Sequence, residues 1–304
     1  MSDLQLGLVH TPLTPFTGDI AIDFEQYGRI INFHLKNGAE ALALPMHVAE
    51  SVSLSDAERR KLLEFALEQV EGRVPVIAHI TQSGTSIACA LAQHAEQAGA
   101  AAIICTTPYY WKPQPGMMLQ HFTEIGATVK IPYFLYNAPS EMGGTRVTIE
   151  LVLDLIKRLD NFAGLVDISL DWQFLIDVVS NARRAKPNFQ LLSGLEFLIS
   201  AGAIGAKGAF APHATIAPRL VKRLYDLCSA ERYKDARPTQ HEFASLYQAV
   251  KKRGVSGMKA AARSLGRDCG DPRPPILPLM ESAQRALAEE LLRIPSVAEE
   301  GRGW

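Results

Sequence analysis

The chain has 304 residues, of which 47% are hydrophobic and 21% are charged, and its formal net charge is −1. This composition is typical of a globular protein and is sufficient for one large domain or two smaller ones. A near-neutral charge lacks the basic excess with which proteins bind nucleic acid or anionic membranes, so we expect neither as a partner.

The sequence favours a cytoplasmic location. Its four cysteines are scattered without a CxxC pair, so we expect reduced thiols rather than a disulfide framework or a zinc site: Cys89, Cys105, Cys228 and Cys269. The first residues, Met1 to Gln5, lack the basic and apolar regions of a signal peptide. No uninterrupted apolar run is long enough to span a bilayer.

Eight short apolar segments, each with the length of a buried strand, recur along the chain. We predict strands at Gly7–Thr11, Ala39–Leu44, Val74–Ala78, Ala101–Cys105, Ile131–Leu135, Phe162–Ile168, Gln190–Leu192 and Gly208–Ala211. Between most of these strands the apolar residues have helical spacing, which predicts helices at 23–35, 55–70, 86–97, 117–127 and 149–159. Strand and helix alternate about every thirty residues, which is the pattern of an α/β fold of the (β/α)8 TIM barrel type.

The predicted barrel covers residues 1–225, and the chain then becomes helical. The helical patterns predict a C-terminal helical extension over 226–295, packed on the barrel, and the polar residues 296–304 predict a disordered tail. A doubly wound open sheet is the main rival fold. It is disfavoured because no GxGxxG motif follows the first strand and no P-loop is present.

The fifth strand ends in the sequence Tyr136-Asn-Ala-Pro139. Turn-forming residues collect there, and a residue before proline is excluded from helical backbone angles, so the strand stops at once. In a (β/α)8 barrel the loops after the strands form the active-site face. A phenol at this position can donate a hydrogen bond in a cleft while its ring packs on the strand ends; an ordinary packed tyrosine is the alternative.

Over nearly its whole length the chain resembles the dihydrodipicolinate synthase / N-acetylneuraminate lyase family of Schiff-base aldolases. The segments that carry the resemblance are Thr14-Pro-Phe, Glu50-Ser-Val-Ser-Leu-Ser, Pro108-Tyr-Tyr-Trp-Lys-Pro, Tyr136-Asn-Ala-Pro, Ser193-Gly194, Gly202-Ala-Ile-Gly, Gly257-Met-Lys-Ala-Ala and Arg273-Pro-Pro. The resemblance implies a (β/α)8 barrel, usually tetrameric, that acts on pyruvate or another 2-oxo acid with no metal or other cofactor. As partners we therefore expect a small carboxylate ligand and further copies of the chain, in a homodimer or homotetramer.

The resemblance also implies roles for particular residues. Tyr136 corresponds to the acid/base of the family, and Tyr110 corresponds to a tyrosine that reaches across a subunit interface toward the neighbouring active site. The nucleophile of the family is a lysine on the sixth strand. Its amine forms an imine with the substrate ketone, and the protonated imine is an electron sink for carbanion chemistry.

The sequence departs from the family at that lysine. When Asn161-Phe-Ala-Gly164 is taken as the anchor, the nucleophile position is Val166, which can form no imine. Lys207 precedes the eighth strand and is expected on the opposite face of the barrel, and Lys112 lies in the loop after Tyr110. We expect neither lysine to replace the missing amine.

The loop that binds the substrate carboxylate in the family has changed as well. A Gly-Thr-Thr-Gly-Glu loop is replaced by Met46-His-Val-Ala-Glu50, so the imidazole of His47 takes the place of the relay hydroxyl. Backbone N–H groups of the loop can still hold an anion. Glu141 stands where many members have an arginine for a substrate carboxylate, which argues against the dicarboxylate chemistry of lysine biosynthesis.

Four histidines lie in or after strands of one sector of the predicted barrel: His10, His47, His79 and His213. Histidine is the usual general acid or base near neutral pH, so we predict a lysine-free proton relay of His47, Tyr136 and Tyr110. His79 and His213 are predicted as additional residues of the barrel mouth. The alternatives are histidines merely satisfied by the backbone, or a metal site, for which no HxH or HExxH spacing is present.

The remaining predictions concern the lining of the pocket. We predict as substrate-binding residues Thr11, Val48, Ala49, Val166, Gly194 and Phe210. Val166 and Phe210 would make the base of the pocket more apolar than in a Schiff-base aldolase. Asp167 alternates with Val166 along the strand and is expected to point toward the helix layer in a structural role.

Two functions of different kinds fit the sequence. The first is a lyase or hydratase that acts on a small 2-oxo or related carboxylic acid by Tyr/His proton transfer, without an imine. The second is a catalytically inactive family member that binds a small carboxylate as a sensor or assembly partner. The exchange of a hydroxyl for an imidazole favours the enzyme, because it adds proton-transfer chemistry to the site.

Overall fold

The computed structural model describes residues 4–110, 112–140 and 145–304, and in these residues eight parallel strands close into a barrel. The strands are β1 (Leu8–His10), β2 (Ala41–Leu44), β3 (Val76–His79), β4 (Ala102–Thr106), β5 (Tyr133–Asn137), β6 (Phe162–Asp167), β7 (Gln190–Gly194) and β8 (Gly208–Ala211). Their order around the barrel is their order in the chain, and β8 pairs with β1. The predicted TIM barrel is confirmed.

Helices alternate with the strands and then continue beyond them. They are α1 (Phe24–Lys36), α2 (Asp56–Val70), α3 (Thr85–Ala98), α4 (Pro115–Ala127), α5 (Ile149–Arg158), α6 (Trp172–Ala185), α7 (Leu198–Ala203), α8 (Pro218–Ser229), α9 (Tyr233–Lys251), α10 (Gly254–Ser264), α11 (Glu281–Leu292) and α12 (Pro295–Ala298). Helix α8 crosses the boundary predicted at 225/226, and α9 to α12 follow the barrel as a C-terminal extension. Within the described ranges, no helix combines the length and the apolar character that crossing a membrane requires.

Local sequence explains where several helices begin. Ser55 opens α2 with a capping box, in which its hydroxyl accepts from the Glu58 N–H while the Glu58 carboxylate accepts from the Ser55 N–H. Asp171 opens α6 in a similar way, because its side chain accepts from the Phe174 N–H. Such caps satisfy N–H groups that have no partner within the helix.

Along each strand, side chains alternate between the interior of the barrel and the helix layer. Tyr136 and Val166 belong to the apolar cluster that fills the barrel interior and also includes residues of α8 to α11. Their chain neighbours Leu135 and Leu165 belong to the second cluster, which packs the strands against the helices. Both faces are buried, which is why the strands are apolar throughout.

The last residues fold back onto the barrel, which differs from the disordered tail predicted for residues 296–304. Pro295–Ala298 is helical, and the Trp304 ring packs edge-on against Phe33 with 5.4 Å between centroids. Glu300 accepts from the Arg219 N–H in the first turn of α8. Partial burial of an indole and capping of a helix offset the entropy lost when this polar segment is held.

A pair of buried histidines joins β1 to α1. The Nδ1 atoms of His10 and His34 are 3.0 Å apart, and His34 Nε2 is 3.4 Å from the Thr215 hydroxyl. His10 therefore faces the helix layer rather than the interior of the barrel. Burial, with a smaller contribution from the positive charge of Lys222, lowers the pKa of His10 to about 3. The imidazole is thus neutral at pH 7.

The free energy of unfolding should decrease below pH 6.5. Between pH 6.5 and about pH 3 the unfolded chain binds a proton at His10 that the native state excludes. The contribution of neutral His10 to stability is therefore complete above this pH interval and is lost as the pH falls through it. The loss from His10 should be about 1.4 kcal/mol per pH unit, as urea unfolding at about pH 7 and about pH 5 would measure.

His10→Leu should reduce the loss in free energy of unfolding between about pH 7 and about pH 5 by about 2 kcal/mol. His241→Gln changes an exposed histidine of α9 and is the matched control, with the wild-type pH dependence expected. An equal pH dependence in His10→Leu and the wild type would contradict the prediction.

Candidate active site

Tyr136 and His47 meet at the carboxyl end of the barrel. Tyr136 lies near the end of β5, and His47 begins a short 3-10 turn, His47–Ala49, that follows β2. The Tyr136 hydroxyl is 3.3 Å from His47 Nδ1, and the two rings stack with 5.8 Å between centroids. The hydroxyl donates this hydrogen bond when the ring proton of His47 is on Nε2.

The surrounding protein keeps the His47 imidazole neutral. The residue is partly accessible at the rim of the barrel, but desolvation by burial lowers its pKa to about 4. At pH 7 the ring is therefore a base without charge, which can accept a proton in a reaction.

Val166 and Phe210 lie beside Tyr136 in the apolar interior. Val166 is the register partner of Tyr136 on the adjacent strand β6 and is fully buried. The Phe210 ring of β8 stacks on Tyr136 with 6.2 Å between centroids. Val48 belongs to the same apolar cluster. The phenol and the imidazole thus meet beside an apolar floor, where the low dielectric strengthens their hydrogen bond.

The two lysines considered as substitutes for the missing amine lie away from Tyr136 and His47. Lys112 is exposed. Lys207 directly precedes β8, at the amino end of the barrel, and its carbonyl accepts from the Tyr225 hydroxyl. Among the described residues the one buried lysine is Lys259 of α10, whose Nζ is 2.8 Å from Glu50 Oε1.

Three further residues predicted to line the pocket lie at the carboxyl ends of strands or in the turns that follow them. Thr11 follows β1 and is buried, and its hydroxyl has no partner within the described part of the chain. Gly194 ends β7 and is the register partner of Phe210. Ala49 lies in the His47 turn, and its carbonyl accepts from the Thr14 hydroxyl at 2.8 Å.

His79 and His213 are each held by surrounding groups. His79 Nδ1 donates to the Pro45 carbonyl at 2.8 Å, and its Nε2 accepts from the Thr81 hydroxyl at 2.6 Å. Both nitrogens are engaged, and burial lowers the pKa of His79 to about 3. His213 packs edge-on against Phe243 of α9 with 5.2 Å between centroids. The structure thus brings His47, rather than these two histidines, into contact with the Tyr136 hydroxyl.

Thr106 is absent from the predicted site residues, although it lies beside Tyr136. The two residues are register partners on β4 and β5, so their side chains share the interior face. The Thr106 N–H donates to the Thr81 hydroxyl, while the Thr106 hydroxyl is buried without a partner among the residues described. Its position at the end of the fourth strand, before Pro108, is the sequence signal that could have identified it.

Tyr110 does not join this group within the chain. Its side chain is 99% exposed, and its backbone φ is 80°, a left-handed conformation that is uncommon for a bulky residue. The sequence argument against dicarboxylate chemistry depends on Glu141. This residue lies outside the described residues.

The profile of the Dihydrodipicolinate synthetase family matches residues 5–294. The chain belongs to this family. It is 32% identical over 288 residues to the 4-hydroxy-tetrahydrodipicolinate synthase of Bartonella tribocorum, a match that covers 94% of this chain and 96% of that protein. It is 31% identical over 299 residues to the protein of the same name from Methanopyrus kandleri, with 97% of this chain and 98% of that protein covered.

Solved structures of the family are similar in fold. Dihydrodipicolinate synthase from Aquifex aeolicus aligns with a TM-score of 0.89 at 26% identity, over 96% of this chain and 99% of that chain. YagE, a prophage protein of the dihydrodipicolinic acid synthase family from E. coli K12 in complex with pyruvate, aligns with a TM-score of 0.90 at 26% identity, over 96% and 99%. The family and the names of these relatives indicate a lyase of the dihydrodipicolinate synthase type.

Thr81→Val should lower the free energy of unfolding by about 1–3 kcal/mol, because it leaves the His79 Nε2 atom and the Thr106 N–H buried without partners. Thr85→Val is a matched control. Its hydroxyl is 2.9 Å from His121 Nδ1 at a partly buried position, so water can replace the lost bond and the effect should be smaller. Urea unfolding of both variants measures the difference. Equal losses of stability in the two variants would contradict the importance of the Thr81 hydroxyl, which links His79 to Thr106.

Proposed function

We propose that the protein is a lyase or hydratase that acts on a small 2-oxo or related carboxylic acid without forming an imine. The observation that carries this proposal is the 3.3 Å contact between the Tyr136 hydroxyl and His47 Nδ1. The register partner of Tyr136 on β6 is Val166, which supplies no amine. Family membership supports the lyase class, and this contact supports the route by proton transfer.

Tyr136 and His47 would move protons in both directions. His47, which burial keeps neutral, accepts the phenol proton while the Tyr136 oxygen removes a proton next to the substrate carbonyl. In the return step the same pair delivers a proton to the leaving hydroxyl, as elimination or hydration of a carbonyl compound requires. The net charge of the pair is restored at the end of the cycle.

Two hydroxyls at the carboxyl ends of β1 and β4 can bind the oxygen atoms of a ligand. The hydroxyls of Thr11 and Thr106 are buried, and neither has a hydrogen-bond partner in the described ranges. Because buried polar groups are usually paired, an unpaired hydroxyl at the barrel mouth suits a ligand oxygen. We assign substrate contact to these two residues together with the predicted lining residues Val48, Ala49 and Gly194.

A second function, ligand binding without turnover, is favoured by Val166 itself. A family member without the amine lacks the electron sink of the imine, whereas a pocket that binds a carboxylate can persist without it. In this case the protein would act as a sensor or an assembly partner. Turnover separates the two functions.

We also propose a homodimer or homotetramer in the cytoplasm. The 99% exposure of Tyr110 supports the assembly, because an aromatic side chain this exposed is suited to contact with a second copy. The four free cysteines support a reducing compartment.

His47→Ala and Tyr136→Phe should each reduce kcat/KM by about 10²–10⁴-fold on any 2-oxo acid of a substrate panel that is converted, because each removes a proton-transfer group. His94→Ala is the control, since His94 contacts Glu64 on the helical surface. Conversion that survives His47→Ala would rule out the proton relay. Acids that bind in calorimetry while none is converted would favour the inactive binder.

Borohydride reduction in the presence of pyruvate should leave the wild type without a covalent adduct, as intact-protein mass spectrometry would show. Val166→Lys is the positive control, because it places an amine beside Tyr136 where desolvation lowers an ammonium pKa and promotes imine formation. An adduct on any lysine of the wild type would contradict the proposal.

A further inference from the structure

A buried ion pair lies behind the His47 turn and joins it to the C-terminal extension. Glu50 Oε1 is 2.8 Å from Lys259 Nζ, and the two side chains are 0% and 2% exposed. The second carboxylate oxygen of Glu50 accepts from the Arg273 N–H at 2.7 Å. Both oxygens are therefore held by groups of the extension.

Glu50 is the residue that closes the turn containing His47. Its φ is 61°, a left-handed conformation that non-glycine residues adopt only when their surroundings hold them there. Its N–H donates to the His47 carbonyl at 2.9 Å. Because the backbone of the turn ends on Glu50, the groups that hold this side chain also orient the turn.

Lys259 and Arg273 are fixed by common neighbours. The Lys259 ammonium donates to the Asp271 carbonyl at 3.1 Å and lies 4.3 Å from the centroid of the Phe16 ring. The Arg273 guanidinium lies 4.5 Å from the same ring and pairs with Glu58 at 2.6 Å. The loop after β1, the turn after β2, the start of α2 and the extension thus converge on one cluster, in which the Glu50 and Lys259 side chains are buried.

We propose that Lys259 is a positioning residue of the active site. Through Glu50 it holds the turn His47–Ala49 so that the imidazole stays within hydrogen-bonding distance of the Tyr136 hydroxyl. This inference rests on the proposed function, which gives that contact its catalytic purpose. Lys259 supplies no nucleophile, because its ammonium is engaged by the Glu50 carboxylate and the Asp271 carbonyl.

Lys259→Met tests the inference without a substrate, because methionine keeps much of the side-chain length and removes the charge. The His47 turn should loosen and hydrate. The pKa of His47 should therefore rise from about 4 to about 5 or higher, which is at least a tenfold gain in proton affinity. NMR of histidine ring protons in the folded protein, from about pH 7 to about pH 5, measures this change. We expect His47 to stay neutral in the wild type and to titrate in Lys259→Met.

Arg267→Met is the matched control. Arg267 is another buried cation of the extension, but it donates to the carbonyls of Thr215 and Ile216 rather than to the His47 turn. Its loss should lower Tm and leave the His47 titration unchanged. Lys259→Arg, which keeps the cation, should restore part of the wild-type titration.

The double variant E50Q/K259M keeps the test decisive if Lys259→Met does not fold. It removes both charges and so leaves no uncompensated carboxylate in the interior, yet the ionic link to the turn is still lost. His47 should titrate in the double variant as well. If His47 stays neutral to about pH 5 in the folded double variant, the positioning role is overturned.

Turnover separates this inference from the proposed function. With a converted acid, Lys259→Met should lower kcat at least tenfold while KM changes less, because the acid/base pair is displaced and the pocket remains. A shifted His47 titration in a protein whose wild type converts no acid would refute the proposed function and leave the positioning role intact. An unchanged kcat alongside a shifted titration would refute the catalytic purpose assigned to the contact.

Discussion

The two-residue alternation of a closed parallel barrel decides on which side of the wall each group lies. Tyr136 and Val166 are register partners that face the interior, and the next residues, Asn137 and Asp167, face the other side. There the Asn137 amide donates to the Asp167 carboxylate, and burial raises the pKa of Asp167 to about 6. A slip of one residue in β6 would place a carboxylate beside the Tyr136 ring and a valine among polar partners, so the apolar floor depends on this register.

Desolvation then decides the charge of the site. Burial lowers the pKa values of His10 and His79 to about 3 and that of His47 to about 4. These imidazoles are neutral at pH 7 and can be hydrogen-bonded within the wall and mouth of the barrel without a counter-ion. Only His47 combines this neutrality with access to the rim and contact with the Tyr136 hydroxyl. In our proposal this combination replaces an amine nucleophile with a proton acceptor.

The barrel could be predicted from the sequence because its signals are local: apolar runs, turn residues and helix caps. Side-chain direction was harder. A strand of three residues carries too little alternation to show that His10 faces α1. The Thr81 hydroxyl that engages His79 also accepts from the Thr106 N–H on the neighbouring strand, and no local pattern encodes that bridge. Helix α6 is absent from the predicted helices, although the Asp171 side chain caps its first turn.

The contacts that complete the His47 turn join residues that are far apart in the sequence. The Arg273 N–H and the Glu50 carboxylate that accepts from it are separated by 223 residues in the chain. Bringing such distant segments together has an entropy cost that rises with the length of the loop between them. The Glu50 carboxylate at the end of this turn therefore has its native partners only when the C-terminal extension has docked. The extension is then more than an addition to a finished barrel, because its Lys259 ammonium and Arg273 N–H hold the Glu50 side chain at the end of the turn that carries His47.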